Sequence, residues 1–166
     1  MNIKSTRLQL RFISINDLLT IHKLHSIQET DQYNTLGIPQ TIEETRSIIT
    51  PWIDENLKGL PRGYTFFIEE KETKKFIGLF GLKLWPLKHR RGEVWYKLHP
   101  NSWGKGYATE ALQVILDFGF NDLNLHRIQA GCAVGNIASI KVLEKAGMIR
   151  EGRGRQILPL ASGWSD

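Results

Sequence analysis

The stretch NSWGKGYATEAL, residues 101–112, sets two glycines around a lysine directly ahead of a good helical sequence. Glycines there let the backbone come close to something. A helix start adds unpaired N–H groups and the positive end of its dipole. The chemistry is that of an anion cradle, with Lys105 supplying a full positive charge. Nucleotide phosphate, coenzyme phosphate and a plain tight turn are the three candidates. A Walker A loop fails, because His99 stands where its first glycine belongs and Gly106 where its hydroxyl residue belongs. A dinucleotide fingerprint fits Gly104 and Gly106, but Thr109 takes the third glycine's place.

Few other residues carry an obvious chemistry. Cys132 is the only cysteine, so no internal disulfide forms, in keeping with the reducing cytoplasm. It lies in an apolar run, where packing explains it better than nucleophilic reactivity. The five histidines lack metal-ligand spacing, and His126 reads as structural. The five tryptophans are mostly packing residues. A net charge of +5 is compatible with a polyanionic ligand or a ribosomal surface. The clusters KETKK (71–75), KHRR (88–91) and RGR (153–155) are scattered, as on a solvated surface. No apolar run is long enough for a membrane span, and the N-terminus lacks the apolar core of a signal peptide.

The elements that position the glycine loop follow from periodicity. TRLQLRF (6–12) alternates as a half-buried strand does. Asn16 and Asp17 offer a cap for a helix through LLTIHKLH, and residues 30–39 read as a loop. Thr41 with Glu44 forms a capping-box pattern for a second helix, which Pro51 should kink or restart. YTFFIEE (64–70) and FIGLFGLKLW (76–85) form a hairpin in which Gly78 and Gly81 mark a bulge or a close approach. EVWYKLHP (93–100) is a third strand, ended by Pro100. A helix from Ala108 follows, then a buried strand at 126–134, then a helix capped by Asn136 and stopped by Gly147. The order β-α-α-β-β-β-α-β-α-β fits one α+β domain over residues 1–166, with a mixed, mostly antiparallel sheet and helices on both faces.

The order of elements, EVWYKLHP, the loop NSWGKGYATEAL and the segment HRIQAGCAVGNIASIKVLEKAGM together resemble the GNAT superfamily of N-acetyltransferases. Within it they look most like the branch that acetylates N-terminal amines of ribosomal proteins. The likeness implies acetyl-CoA as co-substrate, with no metal. The family's Q/R-x-x-G-x-G/A loop falls on residues 101–106, with Asn101 replacing the usual Gln or Arg. It implies that backbone N–H groups of Trp103, Gly104, Lys105, Gly106, Tyr107 and Ala108 hold the pyrophosphate. It implies that the strand carrying Lys97 and Leu98 pairs with the pantetheine arm as an added half-strand, beside a splay in the sheet. Asn136 is implied to contact that arm and Ser139 to lie near the sulfur, although both are also simple helix N-terminal residues. Tyr33 and Trp85 are drawn from the regions that line the acceptor pocket in the family.

The resemblance implies direct attack of a free amine on the thioester. Glu93 is the candidate base and Ser139 the donor to the leaving thiolate. The Leu98 N–H is the expected oxyanion donor. An α-amine, with pKa about 7.7–8.0, is roughly one tenth neutral at pH 7, whereas a lysine is neutral in under about one part in a thousand. A site without a strong base therefore suits α-amines. A second family position for a base falls on Leu158, which takes no proton. REGRGRQILPL is the first of the two closing strands the family has, and the chain reaches GWSD without an evident second. Three readings of that gap stand: a naturally short chain, a truncated sequence, or a partner chain that fills the place, as in a homodimer, since an open sheet edge invites pairing or aggregation. The expected partners are an amine acceptor, a peptide N-terminus or a small amine, with nucleic acid met only through the ribosome and no membrane. The alternative is a basic binding module that keeps the fold without catalysis.

Overall fold

The computed structural model describes residues 1–166. Six strands follow one another across one sheet in chain order: β1 (Asn2–Lys4), β2 (Leu8–Phe12), β3 (Gly63–Glu70), β4 (Phe76–Leu84), β5 (Arg91–Leu98) and β6 (Arg127–Ala130). All neighbours are antiparallel except β5 and β6, which run parallel. Parallel neighbours need a crossover, here α4 (Tyr107–Asp117) with a wide π turn over Phe118–Asp122. The other helices are α1 (Leu18–His25), α2 (Gln28–Asp31), α3 (Ile42–Asn56) and α5 (Ile137–Lys145).

Alternation along the strands builds two cores. On one face Leu8, Leu10, Phe66, Phe80, Leu82 and Val94 pack with Leu112 and Ile115 of α4. On the other, Phe67 and Leu79 pack with Ile21 and Leu24 of α1 and Ile49 of α3. The mixed α+β sheet with helices on both faces is as expected.

Local signals explain the helix ends. The Thr41 hydroxyl accepts from Glu44 N–H at 3.2 Å, and Glu44 Oε2 reaches the Gln40 N–H at 2.7 Å. At the end of α5, Gly147 adopts φ +86°. Its N–H bonds to Glu144 O at 2.9 Å and the Met148 N–H to Leu143 O at 3.1 Å, the pattern of a Schellman stop.

Four sequence expectations are corrected. α3 does not restart at Pro51 but runs on through it; Pro51 and Ser47 are both exposed, so the carbonyl that the proline leaves without a donor is open to solvent. The loop at 30–39 begins inside α2. The strand read at 126–134 pairs only from Arg127 to Ala130. The residues read as lacking a final strand do form β8 (Gly163–Ser165), but it pairs only with β7 (Leu158–Leu160), outside the main sheet. Asp166 ties the end of β8 back to the loop before β7, bonding Arg153 Nε at 2.7 Å and Gln156 N–H at 2.8 Å. β6 is therefore one edge of the main sheet.

Candidate active site

The gap between β5 and β6 organises the site. His99 N–H bonds to Ile77 O and Trp85 N–H to Arg91 O, which assigns the odd-numbered residues of β5 to bonding with β4. The even-numbered residues direct their N–H and C=O groups to the other side. There Gly92 and Val94 pair with β6, but Tyr96 and Leu98 lie beyond Ala130, where β6 ends. The Leu98 carbonyl accepts the Trp103 indole N–H at 2.9 Å. The Leu98 N–H and both backbone groups of Tyr96 face the gap.

At the mouth of that gap, Gly104 and Gly106 adopt φ +71° and +79°, and α4 begins at Tyr107. Trp103 N–H bonds to Pro100 O, and Glu110 N–H is the next to find an acceptor, Gly106 O. The six N–H groups from Gly104 through Thr109 have no acceptor within the chain. The expected run from Trp103 to Ala108 is thus shifted by one residue, because the turn before it consumes the Trp103 donor. Six free donors and a helix dipole fit an anion the size of a pyrophosphate.

The loop is braced from behind. Arg7 Nη1 donates to Lys105 O at 3.0 Å, its Nε pairs with Glu110 Oε2 at 2.7 Å, and its guanidinium lies 4.5 Å over the Tyr107 ring. The Lys105 ammonium bonds Asn101 O and the Tyr107 hydroxyl bonds Glu70. The Lys105 ammonium keeps its charge and two further N–H groups beside the loop, while the Tyr107 hydroxyl is turned to Glu70. The cations that line this cleft, of about 440 Å³, are Lys97, Lys141 and Lys145, the last two a helical turn apart on α5. Sequence reading found the apolar face of α5 but had no reason to single out the lysines opposite it.

A second cleft of about 430 Å³ shares Tyr33, Asn34, Tyr96, Lys97, Asn136 and Ser139 with the first. Ser139 Oγ lies 2.5 Å from the Tyr96 hydroxyl, and Ser139 N–H donates to the Asn136 side chain at 3.1 Å. Burial pushes the Tyr96 phenol up, with the Ser139 bond working against it. Glu93 lines the second cleft, half-buried and without a hydrogen bond. Leu158 lines it as well. Cys132, expected in the core, is half-buried in the cleft wall, and burial raises its thiol.

Trp85 lies outside both clefts; Arg91 and Lys83 sit over its ring at 5.3 and 5.8 Å. Its place is taken by Trp52 and Trp95, whose rings lie 5.3 Å apart. Trp95 points to this face because its backbone pairs with Gly81, where a Cβ would fall 2.0 Å from the indole Nε1. Tyr96, His25 and these two tryptophans were not singled out from sequence. Only the strand parity of Trp95 was a usable signal.

Comparison with known proteins now decides the family. The model of the acetyltransferase (GNAT) domain matches residues 7–149. The chain belongs to the GNAT acetyltransferase family. It is 34% identical over 156 residues to the uncharacterized N-acetyltransferase YoaA of Bacillus subtilis (strain 168), covering 94% of this chain and 87% of that one. Among solved structures it is similar to a GNAT-family acetyltransferase from Bacillus anthracis, with TM-score 0.84, 29% identity and coverage of 99% and 93%. It is also similar to the spermidine N-acetyltransferase from Vibrio cholerae in complex with CoA and spermine, with TM-score 0.85, 26% identity and coverage of 98% and 92%. This GNAT protein is an acetyl-CoA-dependent N-acyltransferase, and the six free donors beside an unpaired strand edge suit its coenzyme. No helix is long and apolar enough to cross a membrane.

Proposed function

We propose that this GNAT chain acetylates an α-amine, a peptide N-terminus in the first instance. The observation that carries the reading is the composition of the second cleft, where Glu93 is the one carboxylate. A single, half-buried carboxylate suffices for an amine that is already partly neutral at pH 7. Acetyl-CoA supplies the thioester carbonyl when bound. In the proposed reaction the amine nitrogen adds to the carbonyl carbon, the surplus amine proton passes to Glu93, and the tetrahedral intermediate collapses as C–S breaks. The Leu98 N–H would stabilise the developing oxyanion. Ser139, hydrogen-bonded to Tyr96, would donate to the leaving thiolate. Backbone N–H groups of residues 104–109 would hold the pyrophosphate, with Lys141 and Lys145 near its phosphates.

A polyamine acceptor is the second reading, favoured by the likeness to the Vibrio cholerae enzyme. Calorimetric titration with acetyl-CoA, followed by thiol release with a short peptide and with spermidine, separates the two. Micromolar coenzyme binding with release driven by the peptide is expected. Release driven by spermidine alone would overturn the α-amine reading.

A further inference from the structure

The floor of the second cleft carries two buried groups that the reaction does not use. Lys97 is 5% exposed and His25 fully buried, and both line that cleft. The Lys97 ammonium lies 3.2 Å from His25 Nδ1. An ammonium has only donors, so Nδ1 accepts and the ring proton sits on Nε2. That Nε2 is buried without a partner and is not open to the cleft, so His25 acts on the cleft only by holding Lys97. Lys97 spends one of its three N–H bonds on His25, and Asp31, buried behind it, forms no ion pair with it and keeps one oxygen unpartnered. Burial lowers His25 to about 3, so it stays neutral beside the lysine. Burial also lowers Lys97, partly opposed by Asp31, to about 8, which leaves it mostly cationic at pH 7.

The remaining walls are apolar or aromatic, with Trp52, Trp95, Val94 and Leu158 among them. A second cation of a polyamine entering here would meet an ammonium and find no carboxylate beyond Glu93. An oxygen would meet the Lys97 ammonium, which His25 holds in place and which keeps N–H groups that the protein leaves unused, and buried donors are costly when unpaired. We infer that the Lys97 ammonium, positioned by His25, donates to an oxygen of the acceptor, so the acceptor is an amine bearing a carbonyl or carboxylate on an apolar body, and not a polyamine. The inference rests on the α-amine reading above and adds the groups that select within it.

A matched series tests it: L-phenylalaninamide offers a carbonyl, L-phenylalanine a carboxylate, 2-phenylethylamine neither, and spermidine further cations. The readout is kcat/KM for each in the wild type, Lys97→Met and His25→Phe. Comparing ratios between enzymes cancels the differing basicity of the amines. The preference for the better oxygen-bearing substrate over 2-phenylethylamine should fall by about 10-fold or more in Lys97→Met, as for loss of a hydrogen bond from a charged donor. It should fall in the same direction in His25→Phe, and which of the two oxygen-bearing amines leads tells carboxylate from carbonyl. Lys97→Glu should raise spermidine relative to the others. Transfer to phenylalaninamide or phenylalanine with ratios unchanged in both Lys97→Met and His25→Phe would overturn the inference alone. No transfer to any aromatic amine, with acetyl-CoA binding intact by calorimetry, would overturn the α-amine reading and the inference with it.

Discussion

At the scale of single residues, the Tyr96–Ser139 contact and the buried His25 make separable predictions. Ser139→Ala should lower kcat by about 100-fold, as for a lost hydrogen-bond donor to developing negative charge, while coenzyme affinity stays nearly intact. Tyr96→Phe should lower it less, because Ser139 keeps its proton but loses its orienting partner. Single-turnover rates beside calorimetric affinities check both, and wild-type turnover in Ser139→Ala would remove that serine from the reaction. For His25, burial first, then the Lys97 charge and His22, lowers the ring from 6.5 to about 3. An unfolded chain therefore takes up a proton that the folded one refuses between those values, so folding stability falls as pH drops through that window. Asp17 behaves differently. Its burial cost is outweighed by bonds from Arg11 and Ser14, so it sits below the ordinary carboxylate range and its contribution is lost only at more acid pH. Urea midpoints between pH 7 and 5 should slope in the wild type and flatten in His25→Asn. An unchanged slope would show that the histidine is not the group responsible.

At the scale of elements, the sequence told most where a local rule had no competitor. The Thr41 cap, the Asn136 cap and the Gly147 stop each depend on a few adjacent residues, and each is found as expected. Pro51 departs from expectation because the rule for proline in a helix assumes that the freed carbonyl has nowhere to go. The strand at 126–134 was read too long because an apolar run does not reveal where its neighbour diverges. Site residues divide the same way. The glycine loop is contiguous, so its cradle was legible to within one residue. The walls of the second cleft come from α1, α3 and β5 at once, and no spacing in one segment reports that His25, Trp52 and Trp95 meet. Gly81 shows how a close approach between strands serves the site. A methyl there would run into the Trp95 indole. Gly81→Ala should cost about 1–3 kcal/mol of stability, in the range of overpacked positions. It should also raise the acceptor KM with coenzyme affinity retained; an unchanged melting temperature and KM would mean that Trp95 has room to move aside.

At the scale of the whole molecule, six strands run in sequence order and only the last pair is parallel. The crossover through α4 brings the glycine loop to the end of β5, and the early end of β6 leaves Tyr96 and Leu98 unpaired beside it. Amide exchange reads this directly. The Tyr96 and Leu98 amides, with those of Gly104 to Thr109, should exchange quickly in the free protein and slow when acetyl-CoA is added. Protection already present without coenzyme would contradict a gap that the coenzyme arm fills.

That gap has a metabolic consequence. Under the proposed reading, the groups that grip the coenzyme are backbone amides and lysines on its arm and pyrophosphate, and of these only the Leu98 N–H meets the acetyl group. The free thiol form then fits the same grip and competes for it. An enzyme held to its co-substrate in this way runs at a rate set by the proportion of the pool that is charged with acetyl, and it slows as spent coenzyme accumulates, whatever the total.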